Sequence, residues 1–437
     1  MLMKAYILPS GVTIHPFGDP VSRSMIGNRP LHQWQEQLFA RQGIGVERIE
    51  SAAQITEREF FLTWDDVFFT RRVLDDFARR APAHPGSSRC GLPADSLLLK
   101  RTRSLQDLDE GQQDGERLAL YRLYFVRSEQ PPTGEAALQQ CLQQARPLRA
   151  RFREKVLRMP APRHISGFSH YQHPVTSSIV MHLRHWVHLL WANQLSIQVA
   201  WVERVLDHKL WSAGKLLGAG LGCLLRGRLS RTGFLLGLLG RANHFGRGCV
   251  VHPTARVEGS LLGDNVHIGA YALVRGCLIG NNVTIEDRAN VYFSVVGDAF
   301  KNSKNSTMVF CAGYPDSDLC VNGIQACLFG SRCALTSRVW VIDLRAAGKT
   351  RVYHQGRLQE IDNKLLGACF GHGCWAGLDV TIAQGREIPN GAMLIRPPAD
   401  IIRRIPPDLP PGVPAWSVNG TATPAAGVPG QRDPDDQ

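Results

Sequence analysis

The sequence predicts an α/β domain over residues 1–130, a helical connector over 131–244, a parallel β-solenoid over 245–398 and a disordered, proline-rich tail over 399–437. Three observations support this order. Apolar strands and an amphipathic helix alternate near the start, a long and mostly apolar helical stretch follows, and a gapless repeat comes after it. The chain of 437 residues is long enough for two or three domains, each with its own core.

The repeat is the strongest feature. VHPTARVEGSLLGDN is followed by IGAYALVRGCLIGNN and then by IEDRANVYFSVVGDA, and each line begins 17 residues after the previous one. An aliphatic residue at about every sixth position predicts a three-sided coil that buries its apolar rows by stacking on the next coil. Turn-forming residues such as GDN and GNN stand at the corners. The three aligned registers are Val251, Ile268 and Ile285; Val257, Val274 and Val291; and Leu262, Ile279 and Val296.

Two segments interrupt this register. The polar stretch over 298–325 predicts a loop or an extra coil outside the prism, and the alternating stretch over 341–363 predicts a hairpin around Gln355 and Gly356. Insertions in solenoids commonly build the binding face. The register resumes at Phe370, Ala376, Ile382 and Ile388.

The hexapeptide pattern over about 245–395 resembles the left-handed β-helix of bacterial hexapeptide-repeat transferases. The resemblance implies a left-handed coil, a homotrimer and, in the acyltransferases of the family, a histidine that acts as general base toward an acyl thioester. An acetyl-CoA or other acyl-CoA donor is then implied. Of the four candidate bases, His372 is the best because it stands beside both insertions, and Arg386 is a candidate for lining its cleft. The four are His252, His267, His354 and His372.

The N-terminal region places two acidic residues at the end of a strand. Lys4 to Leu8 is an apolar strand candidate, and the apolar spacing after Leu31 predicts an amphipathic helix that ends near Gly43. A second apolar run leads directly into Asp65 and Asp66. Paired carboxylates at such a position can hold Mg²⁺ and so offset the charge of a phosphate.

This order of motifs resembles the sugar-phosphate nucleotidyltransferases, for example the bifunctional N-acetylglucosamine-1-phosphate uridyltransferases. The resemblance implies that Asp65 or Asp66 holds Mg²⁺ and that Arg23 and Arg29 contact the phosphates of a nucleotide and a sugar phosphate. The stretch PSGVTIHPFGDPVSR stands where the family has its glycine-rich phosphate loop, and it has fewer glycines and two prolines. A second metal aspartate has no candidate, so the domain is shortened or divergent.

Two features of the connector leave alternatives open. His182, His185 and His188 repeat every third residue, which fits a metal site or a set of packed, hydrogen-bonded histidines. The segment 209–241 is rich in leucine, glycine and basic residues. It fits a peripheral contact with an anionic membrane or a linker that packs helices onto the first coil.

Composition favours anionic partners. Lys+Arg number 50 against 38 Asp+Glu, which gives a formal net charge of +12. No nucleic-acid-binding motif accompanies this charge, so we expect no nucleic-acid partner. Eleven cysteines without a CxxC pair, together with the lack of a signal sequence, predict a reducing, cytoplasmic location.

Three functions follow from these observations. The first is Mg²⁺-dependent nucleotidyl transfer to a sugar-1-phosphate, which makes the chain a transferase of nucleotide-sugar metabolism. The second is acyl-CoA-dependent acyl transfer by the solenoid with His372 as base. The third is a non-catalytic protein that binds a sugar nucleotide or acts as a scaffold, which the altered phosphate loop favours over the first.

Overall fold

A computed structural model of the chain describes residues 3–160, 170–207, 242–345, 348–377, 379–409, 411 and 415–424. The candidate membrane-contact segment 209–241 lies outside these residues. Within them, none of the helices combines the length and the hydropathy needed to cross a bilayer.

The N-terminal part is an α/β unit that extends to residue 207. Its helices are α1 (Leu31–Arg41), α2 (Arg71–Arg80), α3 (Leu97–Thr102), α4 (Glu135–Gln143) and α5 (Trp186–Asp207). Its strands are β1 (Lys4–Leu8), β2 (Thr13–Ile14), β3 (Asp19–Pro20), β4 (Met25–Ile26), β5 (Arg29–Pro30), β6 (Gly45–Arg48), β7 (Glu59–Trp64), β8 (Val67–Phe69), β9 (Ser88–Pro93), β10 (Asp109–Gln113), β11 (Glu116–Arg127), β12 (Arg146–Arg149), β13 (Lys155–Pro160), β14 (His170–Val175) and β15 (Val180–His182).

The main sheet has the strand order β12-β9-β11-β7-β1-β6, with β10 added beside β11. Strand β11 runs antiparallel to β7 and β9, whereas β1 is parallel to both β6 and β7. After β1 the chain first forms β6 on one side of β1 and then forms β7 on the other side. This makes the end of β1 a topological switch point, where open α/β sheets bind ligands.

Helices α1 and α2 cover the sheet because each presents one apolar face. In α1 the buried residues Leu31, Trp34 and Leu38 follow helical spacing, and in α2 Val73 and Phe77 do the same. Strand β7 is buried along most of its length, as its run of aromatic and aliphatic residues predicts. The predicted N-terminal strands and helix are thus present.

The segment 131–244, predicted as a helical connector, is only partly helical. It contains α4 and the long, largely buried α5, but also the strands β12 to β15. Strand β12 extends the main sheet beside β9, and β15 pairs with β8. Short apolar runs such as the one around Val180 do not distinguish a strand from a helix by periodicity, and pairing with an existing edge decides the outcome.

The C-terminal part is a parallel β-helix built from three stacks of short strands, of eight, five and seven members. The first stack is β16 (Val250–Val251), β19 (His267–Ile268), β22 (Thr284–Ile285), β25 (Lys301–Asn302), β28 (Asp318–Leu319), β31 (Ala334–Leu335), β36 (Trp375–Ala376) and β39 (Met393–Leu394). The second is β17 (Arg256–Glu258), β20 (Leu273–Arg275), β23 (Asn290–Tyr292), β26 (Thr307–Val309) and β29 (Ile324–Gln325), and β32 (Trp340–Val341) pairs separately with β37 (Thr381–Ile382). The third is β18 (Leu261–Leu262), β21 (Leu278–Ile279), β24 (Val295–Val296), β27 (Ala312–Gly313), β30 (Leu328–Phe329), β35 (Cys369–Phe370) and β38 (Glu387–Ile388).

The predicted registers are confirmed. Ile268 pairs with Ile285, Val274 with Val291, and the third row is aligned in the same way. The corners repeat with the coils as well. Asn265 and Asn282 both have a φ of 56°, and the Asn265 side-chain amide donates to Asn282 Oδ1 at 3.1 Å. Asparagine tolerates this left-handed conformation better than most residues, which explains its place at the corners.

One prediction about the interruptions is confirmed and one is wrong. The hairpin is present as β33 (Thr350–His354) and β34 (Arg357–Ile361), with Gln355 and Gly356 at its turn. The polar segment 298–325, predicted to leave the prism, instead forms regular strands in all three stacks. The prediction failed because the stacking register persists through this coil even though Asn302 occupies an inward position.

Asn302 is a polar residue in the apolar interior of the β-helix, so we expect its replacement by an apolar residue to change stability. It is 1% exposed, and neither side-chain polar atom has a hydrogen-bond partner among the described residues. Ile285 and Leu319 occupy its position in the adjacent coils. Replacing Asn302→Leu is expected to raise the free energy of unfolding by about 1–3 kcal/mol, because the unpaired amide is removed.

Denaturant unfolding measures this change. The control is Asn290→Val on the partly exposed outer side of β23, expected to change stability by less than about 0.5 kcal/mol. A loss of stability in the Asn302 variant that exceeds the change in the control would contradict the prediction.

The tail predicted as disordered carries a small hairpin. Strands β40 (Ala415–Val418) and β41 (Thr421–Pro424) pair around a turn in which Asn419 and Gly420 have positive φ. An Asn-Gly dipeptide favours this type of hairpin, and this local signal outweighs the low apolar content of the tail.

The two parts of the molecule pack together through α5. This helix contacts β24, β27 and β30, so it covers the third stack of the β-helix. The side-chain amide of Gln194 donates to the Phe310 carbonyl at 2.8 Å, and the indole of Trp201 donates to the Gly259 carbonyl at 3.0 Å. Apolar side chains of the α/β unit and of the third stack belong to one continuous core.

Candidate functional site

The candidate site lies at the carboxyl ends of β1 and β7, where the strand order reverses. We call it the strand-end site. It consists of Ser10, Trp64, Asp65, Asp66, Arg122 and Arg184.

Asp66 is the centre of the strand-end site and is fully buried. Its Oδ2 accepts a hydrogen bond from Nη2 of Arg122 and lies 3.0 Å from Nε of Arg184. Burial raises the pKa of Asp66 above its ordinary value, and the two guanidinium groups oppose this rise. The group is a buried carboxylate bound by two cations, with a formal charge of +1 for the three side chains together.

The two arginines are only partly buried, and each is held in place by a histidine. Their side chains are 21% and 28% exposed, although the Nε atom of each guanidinium is buried. The backbone N–H of Arg122 donates to His182 Nε2 at 3.0 Å, and that of Arg184 donates to His188 Nδ1 at 2.9 Å. Arg122 also lies over the ring of Trp64, with 5.2 Å between its Cζ and the ring centroid.

The three regularly spaced histidines, His182, His185 and His188, are packed and hydrogen-bonded. His182 ends β15, His185 precedes α5 and His188 lies in its first turn, so the three do not share one helix as their spacing suggested. His188 Nε2 donates to the Ser104 carbonyl at 2.8 Å, and burial lowers its pKa to about 3. Burial also holds the pKa of His182 well below its usual range. These contacts support the packed, hydrogen-bonded interpretation.

Asp65, the other predicted metal ligand, holds the loop after β1. Its Oδ1 accepts the backbone N–H of Ser10 at 2.8 Å. The next residue, Gly11, has a φ of 68°, and open space surrounds it. Asp65 therefore ties the loop after β1 to the end of β7.

These acidic residues do not fit a Mg²⁺ ion. Two guanidinium groups already bind Asp66, and their charge would repel a divalent cation at the same carboxylate. Asp66 Oδ1 has no hydrogen-bond partner in the described ranges, but it is buried rather than open to solvent. No group of three His, Cys, Asp or Glu side chains among the described residues is placed to hold a metal.

The predicted phosphate-binding arginines are not gathered at this site. Arg23 is exposed at the end of a 3₁₀ turn. Arg29 packs over Trp34, with 4.6 Å between its Cζ and the ring centroid, and burial lowers its pKa from the ordinary value. In place of a phosphate loop, this stretch docks on α5 and the β-helix. The Asn28 side chain donates to the Val296 carbonyl at 2.8 Å, and the Met25 N–H donates to the Tyr314 hydroxyl at 3.0 Å.

His372, the predicted general base, belongs to the same docking contact. Its Nδ1 accepts the Ser331 N–H at 2.9 Å, and its Nε2 lies 3.0 Å from Oδ2 of Asp19. Its ring packs against Phe17, with 5.0 Å between the ring centroids. Because Nδ1 accepts from the backbone and Nε2 donates to a carboxylate, neither nitrogen has a free lone pair for a substrate proton.

Arg386, predicted to line a cleft with His372, lies elsewhere. It is partly buried near the hairpin, with its Nη1 3.5 Å from the Arg351 carbonyl. The structure therefore does not bring Arg386 and His372 into one site.

Sequence reasoning missed Arg122 and Arg184. Each stands in a mainly apolar stretch, LALYRLYFVR and VMHLRHW, and a single charged residue in a buried strand or just after one is the signal that could have identified them.

The chain matches no protein-family model. No curated protein is significantly similar to it either. The two family resemblances therefore rest on the motifs in the sequence and on the arrangement of strands alone.

Proposed function

We propose that the protein binds a nucleoside diphosphate sugar at the strand-end site without a metal ion. The observation that carries this proposal is the pair of partly exposed arginine side chains, Arg122 and Arg184, whose guanidinium groups contact a single buried carboxylate at the switch point. A diphosphate would offset the remaining positive charge. Arginine suits this role because its planar guanidinium forms charge-assisted, bidentate hydrogen bonds with phosphate oxygens.

The surroundings of the two arginines support this ligand class. Trp64 is a partly exposed residue that packs against Arg122, and an indole suits contact with a base or a sugar face. The Ser10–Gly11 turn offers a backbone that a ligand can approach closely. The surplus of basic over acidic residues raises the local concentration of anionic ligands.

The docked loop argues for binding over nucleotidyl transfer. Asp19, Met25 and Asn28 hold the stretch after β1 against the β-helix, and Asn390 of the β-helix donates a hydrogen bond to the Phe17 carbonyl in the same stretch. The stretch is therefore not free to enclose a triphosphate. Mg²⁺-dependent nucleotidyl transfer stays a prediction, and pyrophosphate release tests it. Release that disappears in Asp65→Ala would overturn the metal-free proposal.

The test of binding is calorimetric titration with a panel of nucleoside diphosphate sugars in the presence of EDTA. Arg184→Gln is expected to weaken the tightest ligand about tenfold or more, because one charge-assisted contact is lost. The matched control is Arg275→Gln, which removes the same charge from an arginine paired with Glu258 on the β-helix. Equal effects of the two substitutions, or no saturable binding by the wild type, would contradict the proposal.

The β-helix is proposed as the assembly unit. Its left-handed coil and the trimer follow from the family resemblance, and one of its three stacks is covered by α5.

Acyl transfer from an acyl-CoA stays an untested prediction, with both His372 nitrogens engaged as described. A reducing, cytoplasmic location is likewise proposed, and the ten cysteines of the described ranges are all free thiols. The mass in solution tests the trimer.

A further inference from the structure

Two adjoining cavities lie at the carboxyl end of β9, on the same edge of the sheet as the strand-end site. Their volumes are about 400 and 460 Å³, and they share Ala94 and Arg103. The smaller cavity lies between the α/β unit and the insertion of the β-helix. It is lined by Ala94, Leu97, Lys100, Arg101, Arg103 and Asp362.

The smaller cavity has more basic than acidic side chains. Neither Lys100 nor Arg101 has a carboxylate within ion-pair distance in the part of the chain that the structure describes. Arg103 and the nearby Arg117 share the single carboxylate of Glu110, at 2.6 and 2.7 Å. Asp362 is the only acidic side chain among the described residues that line this cavity. The side chains of Lys100 and Arg101 are therefore the cations with which an incoming anion can pair.

Arg101 is held in a defined position. Its guanidinium packs over the ring of Tyr171 on β14, with 5.1 Å between its Cζ and the ring centroid. Residue 101 is only partly exposed, in contrast to the exposed Lys100. A guanidinium oriented by an aromatic ring loses less conformational freedom when it binds an oxyanion.

The hairpin insertion contributes one wall of this cavity. Asp362 follows β34, and its N–H lies 3.3 Å from the Ser104 hydroxyl, which ties the insertion to the loop after α3. Ser104 also accepts the hydrogen bond from His188, so this loop joins the cavity to the histidine that holds Arg184. The hairpin insertion thus supplies one wall of a cavity whose other lining residues belong to the α/β unit.

We infer that the cavity lined by Lys100, Arg101 and Arg103 is a second anion site, which binds the phosphate group of a small phosphomonoester. It is distinct from the diphosphate position at Arg122 and Arg184, and it does not depend on binding there. The volume of about 400 Å³ accommodates a phosphorylated monosaccharide.

The probes are glucose 6-phosphate, inorganic phosphate and glucose, titrated into the full chain at low salt. We expect saturable binding of both phosphate probes and none of glucose. Binding of glucose as tight as that of its phosphate, or no saturable binding of either phosphate probe, would overturn the inference. Tighter binding of glucose 6-phosphate than of inorganic phosphate would assign a sugar subsite, and equal binding would assign the phosphate group alone.

The double substitution Lys100→Gln/Arg101→Gln is expected to weaken phosphate binding about tenfold or more. The control, Lys349→Gln/Arg351→Gln, removes the same two charges from the exposed hairpin, where both residues pair with Glu360. Equal weakening in the control would show a general charge effect and overturn the inference. Lys100→Gln/Arg101→Gln is expected to leave the binding of nucleoside diphosphate sugars at the strand-end site unchanged, so failure at the strand-end site is distinguishable from failure here.

Discussion

Lowering the pH from 7 to 5 is expected to reduce the free energy of unfolding by about 2 kcal/mol through His188 alone, and His182 adds to this loss. Both imidazoles are buried and hydrogen-bonded in the neutral form, with the pKa of His188 lowered to about 3 and that of His182 well below its usual range. The unfolded chain takes up protons at these residues below about pH 6.5. Their contribution is therefore complete above that pH and is lost progressively as the pH falls, and His188 accounts for about 2 kcal/mol of the loss by pH 5.

The measurement is denaturant unfolding at several pH values between 5 and 7.5. In His188→Gln, the slope of the unfolding free energy against pH near pH 5 is expected to fall by about one bound proton, because one titrating group is gone. His252→Gln is the control, since that residue lies exposed on the first coil. An unchanged slope in His188→Gln would contradict the assignment of His188 as a buried neutral group.

The second large effect is expected from Arg122→Leu, which should lower the free energy of unfolding by about 3–5 kcal/mol. The substitution leaves the fully buried Asp66 carboxylate with Arg184 as its remaining charged partner. A buried charge that loses a partner is strongly destabilising, because its desolvation is no longer offset. Thermal and denaturant unfolding of the variant measure the loss.

Two further variants separate charge from packing. Adding Asp66→Asn to Arg122→Leu is expected to recover part of the lost stability, because the uncompensated charge is removed. Arg275→Leu breaks an ion pair with Glu258 in which the arginine is 40% exposed, and should cost less than about 1 kcal/mol. A double variant no more stable than Arg122→Leu would show that the effect comes from lost packing against Trp64.

Much of the β-helix could be predicted because its signal is local and repeated. Each inward residue such as Ile268 or Val274 recurs at a fixed spacing, so a few coils define the register of the rest. The coil through Asn302 escaped this reasoning because its inward position is polar. The neighbouring coils, with Ile285 and Leu319 in the same row, impose the register there. Stacking, which is non-local, overrides the hydrophobic pattern of one coil.

The strand-end site was predictable only in part. The apolar run before Asp65 and Asp66 predicted that both residues follow a strand, and the structure places them at the carboxyl end of β7, the edge where open α/β sheets bind ligands. The chemistry of Asp66 depends on Arg122 from an antiparallel strand and on Arg184 from beyond β15, far along the chain. His372 shows the same limit. Its partner Asp19 lies 353 residues away, and nothing local to His372 indicates that pairing.

The strand-end site is proposed to bind a nucleoside diphosphate sugar through arginine and not through Mg²⁺. The most direct measurement is the dissociation constant of the tightest ligand in the panel, determined once in excess EDTA and once in excess Mg²⁺. Metal-free binding by Arg122 and Arg184 predicts dissociation constants that agree within about threefold. Binding that occurs only in Mg²⁺, and that Asp66→Asn abolishes, would contradict it.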